Sequence, residues 1–168
     1  MFLKEWLAIG FIAVVLALYA SGMALAALLC AVSMATSALI RMAKLRSIGI
    51  EFVTFSAVVL GMTYGSGAGA LAALVLMSLH FAIGGYTGAY VLWVLPVYAG
   101  VGFAAGAVGG PPFSLGIMLS AFANLANIAF TWLFSRQHVA GFLPFAASNV
   151  VFNFLLFKVF GELAVRAA

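Results

Sequence analysis

The residues of this sequence that could do chemistry are a few polar side chains set inside long apolar runs. Glu51 opens one such run and is the only acidic residue well inside the chain, since Glu5 and Glu162 lie near its ends. A carboxylate within a membrane is costly, so it marks a functional site or an ion pair. We predict that Glu51 contributes to a binding site; the alternative is anchoring of a helix end by Arg41 or Lys44.

A second group of polar side chains recurs at helical spacing. Its members are four, three and four residues apart and therefore share one helix face: Ser120, Asn124, Asn127 and Thr131. Hydrocarbon offers no hydrogen-bond partners, so this polar stripe must face protein or a wet cavity. Asn149 and Asn153 repeat the pattern in the next apolar run. Two interpretations remain open, hydrogen bonding between helices and a ligand-binding surface.

Other kinds of chemistry have little support in the sequence. Cys30 is the single cysteine, and His80 and His138 lack the spacing of a metal or haem site. No nucleophile–base arrangement, phosphate-binding loop or zinc motif is present. We therefore expect no enzyme activity, no metal and no cofactor. The net charge of +4 indicates loop orientation or contact with membrane lipid rather than nucleic acid.

Long apolar helices must position these groups, because 67% of the residues are hydrophobic and only 6% are charged. A helix needs about 20 residues to cross the hydrocarbon. Spans are predicted near residues 4–20, 23–43, 50–64, 67–83, 89–108, 113–135 and 140–162. A single long helix in place of the first two is the alternative. The predicted fold is one all-α integral membrane domain of six or seven transmembrane helices, with an extra N-terminal helix at 4–20 and a six-helix core at 23–162.

Counting crossings places most of the polar groups at one end of this bundle. The loops near 41–50, 84–88 and 135–140 share one membrane side, because two spans separate each loop from the next. That side is either simply the cytoplasmic one, where basic residues accumulate, or the mouth of a pocket for a small polar or anionic molecule. The predicted substrate-binding residues are Glu51, Thr54, His80, Tyr86, Tyr90, Asn124, Asn127, Thr131, Arg136 and Asn149.

Residues 50–75, IEFVTFSAVVLGMTYGSGAGALAALV, resemble the second and third helices of S components, the substrate-binding membrane subunits of energy-coupling factor transporters. In that family an acidic residue often opens helix two, as Glu51 does here. A glycine-flanked turn then leads into helix three, and the corresponding residues are Gly61, Tyr64, Gly65 and Gly69. The sequence departs from the family in its extra N-terminal helix and in His80, which stands near a position that is often acidic.

The resemblance implies a six-helix core and a role in the uptake of a vitamin or its precursor across a prokaryotic plasma membrane. It also implies partners, a transmembrane coupling subunit and its ATPases. Ala27, Ala31 and Ala35 resemble the alanine face through which S components dock on the coupling subunit, although packing inside this chain would use the same spacing. A related fold occurs in the membrane scaffold of the bacterial rod-shape machinery, so a structural subunit of a membrane complex is the alternative function.

Overall fold

The computed structural model describes residues 9–10, 12–13, 16, 23–45, 47–86 and 88–166, which contain helices and turns but no strand. The helices are α1 (Ala24–Met42), α2 (Val53–Tyr64), α3 (Ser66–Gly84), α4 (Val91–Val108), α5 (Pro112–Phe134), α6 (Val139–Leu156) and α7 (Glu162–Arg166). The described residues between 9 and 16 are helical. The rest of the predicted span at 4–20 and the basic residue Arg46 lie outside the described residues.

Within the described part of the chain, five helical segments are long and apolar enough to cross a membrane. They are α1, α3, α4, α5 and the continuous stretch from Arg136 to Arg166, which includes α6 and α7. The prediction of an all-helical membrane protein is confirmed at this level. The exact number of crossings stays a prediction, because α2 is apolar but has only 12 residues.

The short helix α2 forms the centre of the bundle. Its residues from Val53 to Gly61 are all buried, so it has no face toward lipid over most of its length. A helix of this length extends about 18 Å, which is shorter than the roughly 30 Å of hydrocarbon. The N-terminus of α2 therefore begins inside the bundle, and Glu51 is buried there with 1% of its surface exposed.

The segment that leads into α2 depends on Gly49, which is pressed against α6. A Cβ atom at this position would overlap the Phe145 carbonyl oxygen and the Asn149 side chain. The Gly49 N–H donates to Ser148 Oγ at 2.8 Å, and its carbonyl oxygen accepts from Asn149 Nδ2 at 3.0 Å. Side chains of α6 thus satisfy the non-helical backbone, which otherwise would be costly at this depth.

Glycines bring the backbones of α2, α3 and α4 into direct contact. A Cβ atom on Gly102 would overlap the Gly69 carbonyl group, and one on Gly69 would overlap the Gly102 carbonyl oxygen. Gly61 and Gly106 form a second such contact beside it. Small residues allow this approach, and the dispersion contacts that result are a main source of stability between membrane helices. The three glycines assigned to the family-like turn, Gly61, Gly65 and Gly69, therefore lie at this contact between helices.

The C-terminal helix was predicted as one span at 140–162, but the structure interrupts it with a π-helical turn, Phe157–Gly161. The turn directs Phe157 into the core, where its ring packs 4.9 Å from the ring of Phe55. Gly116 of α5 provides the space, since a Cβ atom there would overlap the Phe157 ring. One extra residue per turn changes which side chains face inward, so α7 does not continue the face of α6.

Cysteine labelling can test the arrangement of the loops. We expect Lys44→Cys and Arg136→Cys to be labelled from the same side of the membrane and Val108→Cys from the other, in a Cys30→Ala background. All three positions are exposed. Four helices, α2 to α5, separate the first two positions, which makes an even number of crossings if the short α2 completes one. Labelling of Lys44→Cys and Arg136→Cys from opposite sides would contradict a crossing by α2. Labelling of Arg136→Cys only from the cytoplasm would contradict an outward-facing mouth.

Candidate functional site

A cavity of about 620 Å³ lies among α3, α4, α5 and α6, at the end of the bundle that carries the loops around residues 85–90 and 135–138. Ligand pockets usually have volumes of roughly 300–1,000 Å³. The residues that line it come from these four helices and from the segments that connect helices: Ser47, Glu51, Met77, His80, Phe81, Tyr86, Gly88, Ala89, Tyr90, Trp93, Val94, Tyr98, Asn127, Thr131, Ser135, Gln137, His138, Gly141, Phe142 and Phe145. Aromatic rings and polar groups therefore share the wall.

Glu51 lies on the cavity wall and accepts hydrogen bonds at both carboxylate oxygens. Oε2 accepts the backbone N–H of Thr54 at 2.9 Å, and Oε1 accepts the Thr54 hydroxyl at 2.5 Å. The Thr54 N–H belongs to the first turn of α2, where backbone donors have no helical partner and the helix dipole favours negative charge. Tyr98 also lines the cavity. The hydrogen bonds to both oxygens fix the orientation of the carboxylate.

Asn149 connects Glu51 to the rest of the polar network and is itself fully buried. Its Nδ2 donates to Glu51 Oε1 at 3.0 Å and to the Gly49 carbonyl oxygen at 3.0 Å. Its Oδ1 accepts from Asn124 Nδ2 at 2.8 Å and from Asn153 Nδ2 at 3.3 Å. Every hydrogen-bonding group of the Asn149 amide is therefore occupied, which fixes the orientation of Asn149 and positions Glu51.

His80 joins the cavity to α1. Ser37 Oγ donates its single hydrogen to the Ser33 carbonyl oxygen at 2.8 Å and lies 2.8 Å from His80 Nδ1. Because that hydroxyl hydrogen is already used, Ser37 Oγ accepts from His80, which places a hydrogen on Nδ1. Neutral His80 then has its lone pair on Nε2. The imidazole ring is stacked on Tyr86, with the ring centroids 5.2 Å apart.

Two buried polar groups on the cavity wall, Asn127 Oδ1 and Trp93 Nε1, have no hydrogen-bond partner among the described residues. Four buried oxygen atoms away from this wall also lack a partner there, namely Thr63 Oγ1, Ser120 Oγ, Asn124 Oδ1 and Asn153 Oδ1. Asn127 and Trp93 differ from these in lining the cavity, where a ligand or an ordered water molecule can pair with them.

The prediction that the polar stripe faces protein or a cavity is confirmed, since all its members are buried. Six of the predicted substrate-binding residues lie on the cavity wall: Glu51, His80, Tyr86, Tyr90, Asn127 and Thr131. Three others do not line the cavity. Thr54 and Asn149 donate to Glu51, and Asn124 donates to Asn149. Arg136 is exposed outside the cavity, with its guanidinium 4.5 Å above the Trp132 ring.

Sequence reasoning missed several aromatic residues of the wall. Trp93, Tyr98, Phe142 and Phe145 line the cavity but stand in runs that are apolar on every face. A helix without a polar face gives no periodic signal to separate cavity-facing from lipid-facing rings. The only available signal was chemical, because indole and phenol groups carry a hydrogen-bonding atom that hydrocarbon cannot satisfy. That reasoning applies to Trp93 and Tyr98 but not to the phenylalanines.

The cavity wall carries few charged side chains, and ion pairs are rare among the described residues. Neither lysine nor arginine lines the cavity among the described residues, and Glu51 is its only carboxylate. The only salt bridge in the described part of the chain joins Arg166 and Glu162, at 3.6 Å. Arg41, one of the two residues suggested above to anchor a helix end, donates to the Ile83 carbonyl oxygen at 2.6 Å. Neither Arg41 nor Lys44 forms an ion pair with Glu51 among the described residues.

Residue types that bind metals are also sparse around the site. No group of three or more histidine, cysteine or acidic side chains that could hold a metal occurs among the residues described.

Within the alanine face of α1, Ala27 is buried in the bundle, Ala31 is half-buried and Ala35 is exposed. The face thus turns from the interior of the chain toward its surroundings, and docking through it stays a prediction.

Comparison of the chain with protein-family models, with curated proteins and with solved structures gives no match. The resemblance to S components consequently remains a prediction from the residues quoted above.

Proposed function

We propose that this protein is the substrate-binding membrane subunit of an uptake system for a small molecule, such as a vitamin or its precursor, in a prokaryotic plasma membrane. The observation that supports this most is the cavity of about 620 Å³, whose wall holds buried polar atoms without protein partners. Aromatic rings supply contact area for a ligand, and a few polar groups fix its orientation. A cavity with these features has no evident use in a protein that only holds helices together.

Energy for uptake would come from a separate module, because the sequence contains no phosphate-binding loop. We propose a transmembrane coupling subunit with associated ATPases as that module. The exposed side of α1, which includes Leu28, Ala35, Leu39 and Met42, is the surface offered for docking. Membrane lipid would cover it in the isolated subunit.

A scaffold subunit of a membrane complex is the second candidate, and one observation favours it. Asn124, Asn149 and Asn153 bond to one another and to backbone, which is what polar residues do when they only join helices. Purification from native membranes in mild detergent, followed by mass spectrometry, separates the two candidates. Uptake predicts a bound small molecule and co-purifying ATPases. A protein without a small molecule, in tight complex with membrane proteins that are not ATPases, would contradict it.

A further inference from the structure

The buried carboxylate of Glu51 has no countercharge from lysine or arginine among the described residues. It is 1% exposed, and the groups bonded to it, Thr54 and Asn149, are neutral. Neutral donors can orient a carboxylate, but they do not neutralise it, and an uncompensated buried charge is expensive. Since Glu51 lies on the cavity wall, the missing positive charge can be supplied from the cavity.

The walls around Glu51 also favour a cation. Tyr86, Tyr90, Trp93 and Tyr98 surround the same cavity as Glu51. The faces of such rings carry negative electrostatic potential and attract ammonium or guanidinium groups within about 6 Å. Among the described residues the same wall lacks lysine and arginine, the usual partners of an anionic ligand. The cavity is therefore unfavourable for the anionic molecule that the sequence had left open.

The atoms on the cavity wall that lack a hydrogen-bond partner among the described residues indicate that the cation carries an N–H donor. Asn127 Oδ1 is an acceptor without a partner, and neutral His80 presents Nε2 as a second acceptor. Trp93 Nε1 is the one buried donor without a partner on this wall among the described residues. An N–H group of the ligand can satisfy Asn127 Oδ1, His80 Nε2 or the Glu51 carboxylate.

We infer that the cavity binds a small organic cation with at least one N–H donor, such as a protonated amine or amidine, whose charge is paired with Glu51. The inference rests on the proposed function, in which the cavity holds a small molecule. It adds the chemical class of that molecule and the residue that selects it. Selection would act through charge, because a neutral molecule of the same shape leaves the carboxylate without its countercharge.

The test uses three probes that share one ring, namely benzylammonium, benzyl alcohol and benzoate, with the full-length protein in detergent at pH 7. We expect benzylammonium to bind at least about tenfold more tightly than benzyl alcohol, since a hydrogen bond between charged groups is stronger than one between neutral groups. Benzoate should bind most weakly. Calorimetry or ligand-observed NMR gives the dissociation constants.

Variants assign the preference to Glu51. Glu51→Gln keeps an acceptor and the shape but removes the charge, so the preference for benzylammonium should disappear. Glu162→Gln removes an exposed carboxylate outside the cavity and should leave the preference unchanged. If Glu51→Gln does not fold, Trp93→Leu serves as the second variant. It removes an aromatic face, and we expect the ratio of the benzylammonium affinity to the benzyl alcohol affinity to fall severalfold.

Several results would overturn the inference. Equal affinities for benzylammonium and benzyl alcohol would mean that Glu51 is already neutralised, for instance by a charged His80. Tighter binding of benzoate, or no binding of any probe, would also overturn it. None of these results would contradict uptake of a small molecule if a ligand of another class co-purifies with the protein. The proposed function is contradicted by a different result, namely that the protein purified from native membranes holds no small molecule.

Discussion

Asn149→Leu is expected to lower the free energy of unfolding by about 2–4 kcal/mol, because it removes the donor of two buried acceptors at once. Those acceptors are Glu51 Oε1 and the Gly49 carbonyl oxygen, both 3.0 Å from Asn149 Nδ2. Glu51, Gly49 and Asn149 are all buried. The loss should also reduce ligand binding indirectly, through displacement of Glu51. Equilibrium unfolding in mixed micelles measures the effect.

Asn127→Leu is the matched control, with the same substitution at another buried asparagine. Because Asn127 Oδ1 has no partner among the described residues, replacement should change the free energy of unfolding by less than about 1 kcal/mol. Ligand binding should nevertheless be lost, since Asn127 lies on the cavity wall. The two variants thus distinguish a residue that holds Glu51 in place, Asn149, from a residue expected to contact the ligand, Asn127. Equal destabilisation by both would contradict this division.

Gly102→Ala is expected to destabilise the protein by about 3 kcal/mol, at the upper end of the usual cost of overpacking. The new methyl group would meet the Gly69 carbonyl group, which is backbone and can move only if α3 and α4 separate. The consequence should extend to the cavity, because α4 carries Trp93 and Tyr98 on its wall. Thermal unfolding followed by tryptophan fluorescence measures the change.

Gly100→Ala provides the control two residues away on the same helix. A Cβ atom at Gly100 meets nothing within 4 Å. Alanine also has a better helix propensity than glycine, by about 1 kcal/mol, so this variant should be as stable as the original protein or more stable. A similar loss of stability in both variants would mean that an effect common to both positions, such as lipid contact, rather than backbone contact, explains the effect at Gly102.

Apolar runs and their interruptions were enough to predict most of the helices. The span predicted at 113–135 corresponds to α5 (Pro112–Phe134), and the span at 67–83 corresponds to α3 (Ser66–Gly84). Length, hydropathy and Gly–Pro turns are local properties, and the sequence carries them directly. The π-helical turn at Phe157 was not predictable in this way. It depends on the space that Gly116 leaves on a different helix.

Prediction of the candidate site was only partly successful, for a related reason. Helical periodicity showed that Asn124 and Asn127 lie on one face of α5, but it does not give the depth or partner of either side chain. Asn124 faces Asn149 and donates to it through Nδ2, whereas Asn127 lies on the cavity wall. That difference arises from the register between α5 and α6. Arg136 shows a similar limit, since its long side chain turns back onto Trp132.

The central claim is that the cavity holds a small molecule, and a bulky side chain placed in it tests that claim most directly. Gly141 lines the cavity, and Gly100 lies outside it; both are exposed helical glycines with open space around a Cβ atom. Protein is purified from native membranes as the original sequence, Gly141→Phe and Gly100→Phe, and native mass spectrometry records the bound small molecule. Our account predicts a stoichiometric ligand in the original protein and in Gly100→Phe, and its loss in Gly141→Phe. Equal occupancy in all three, or a ligand in none, would contradict it.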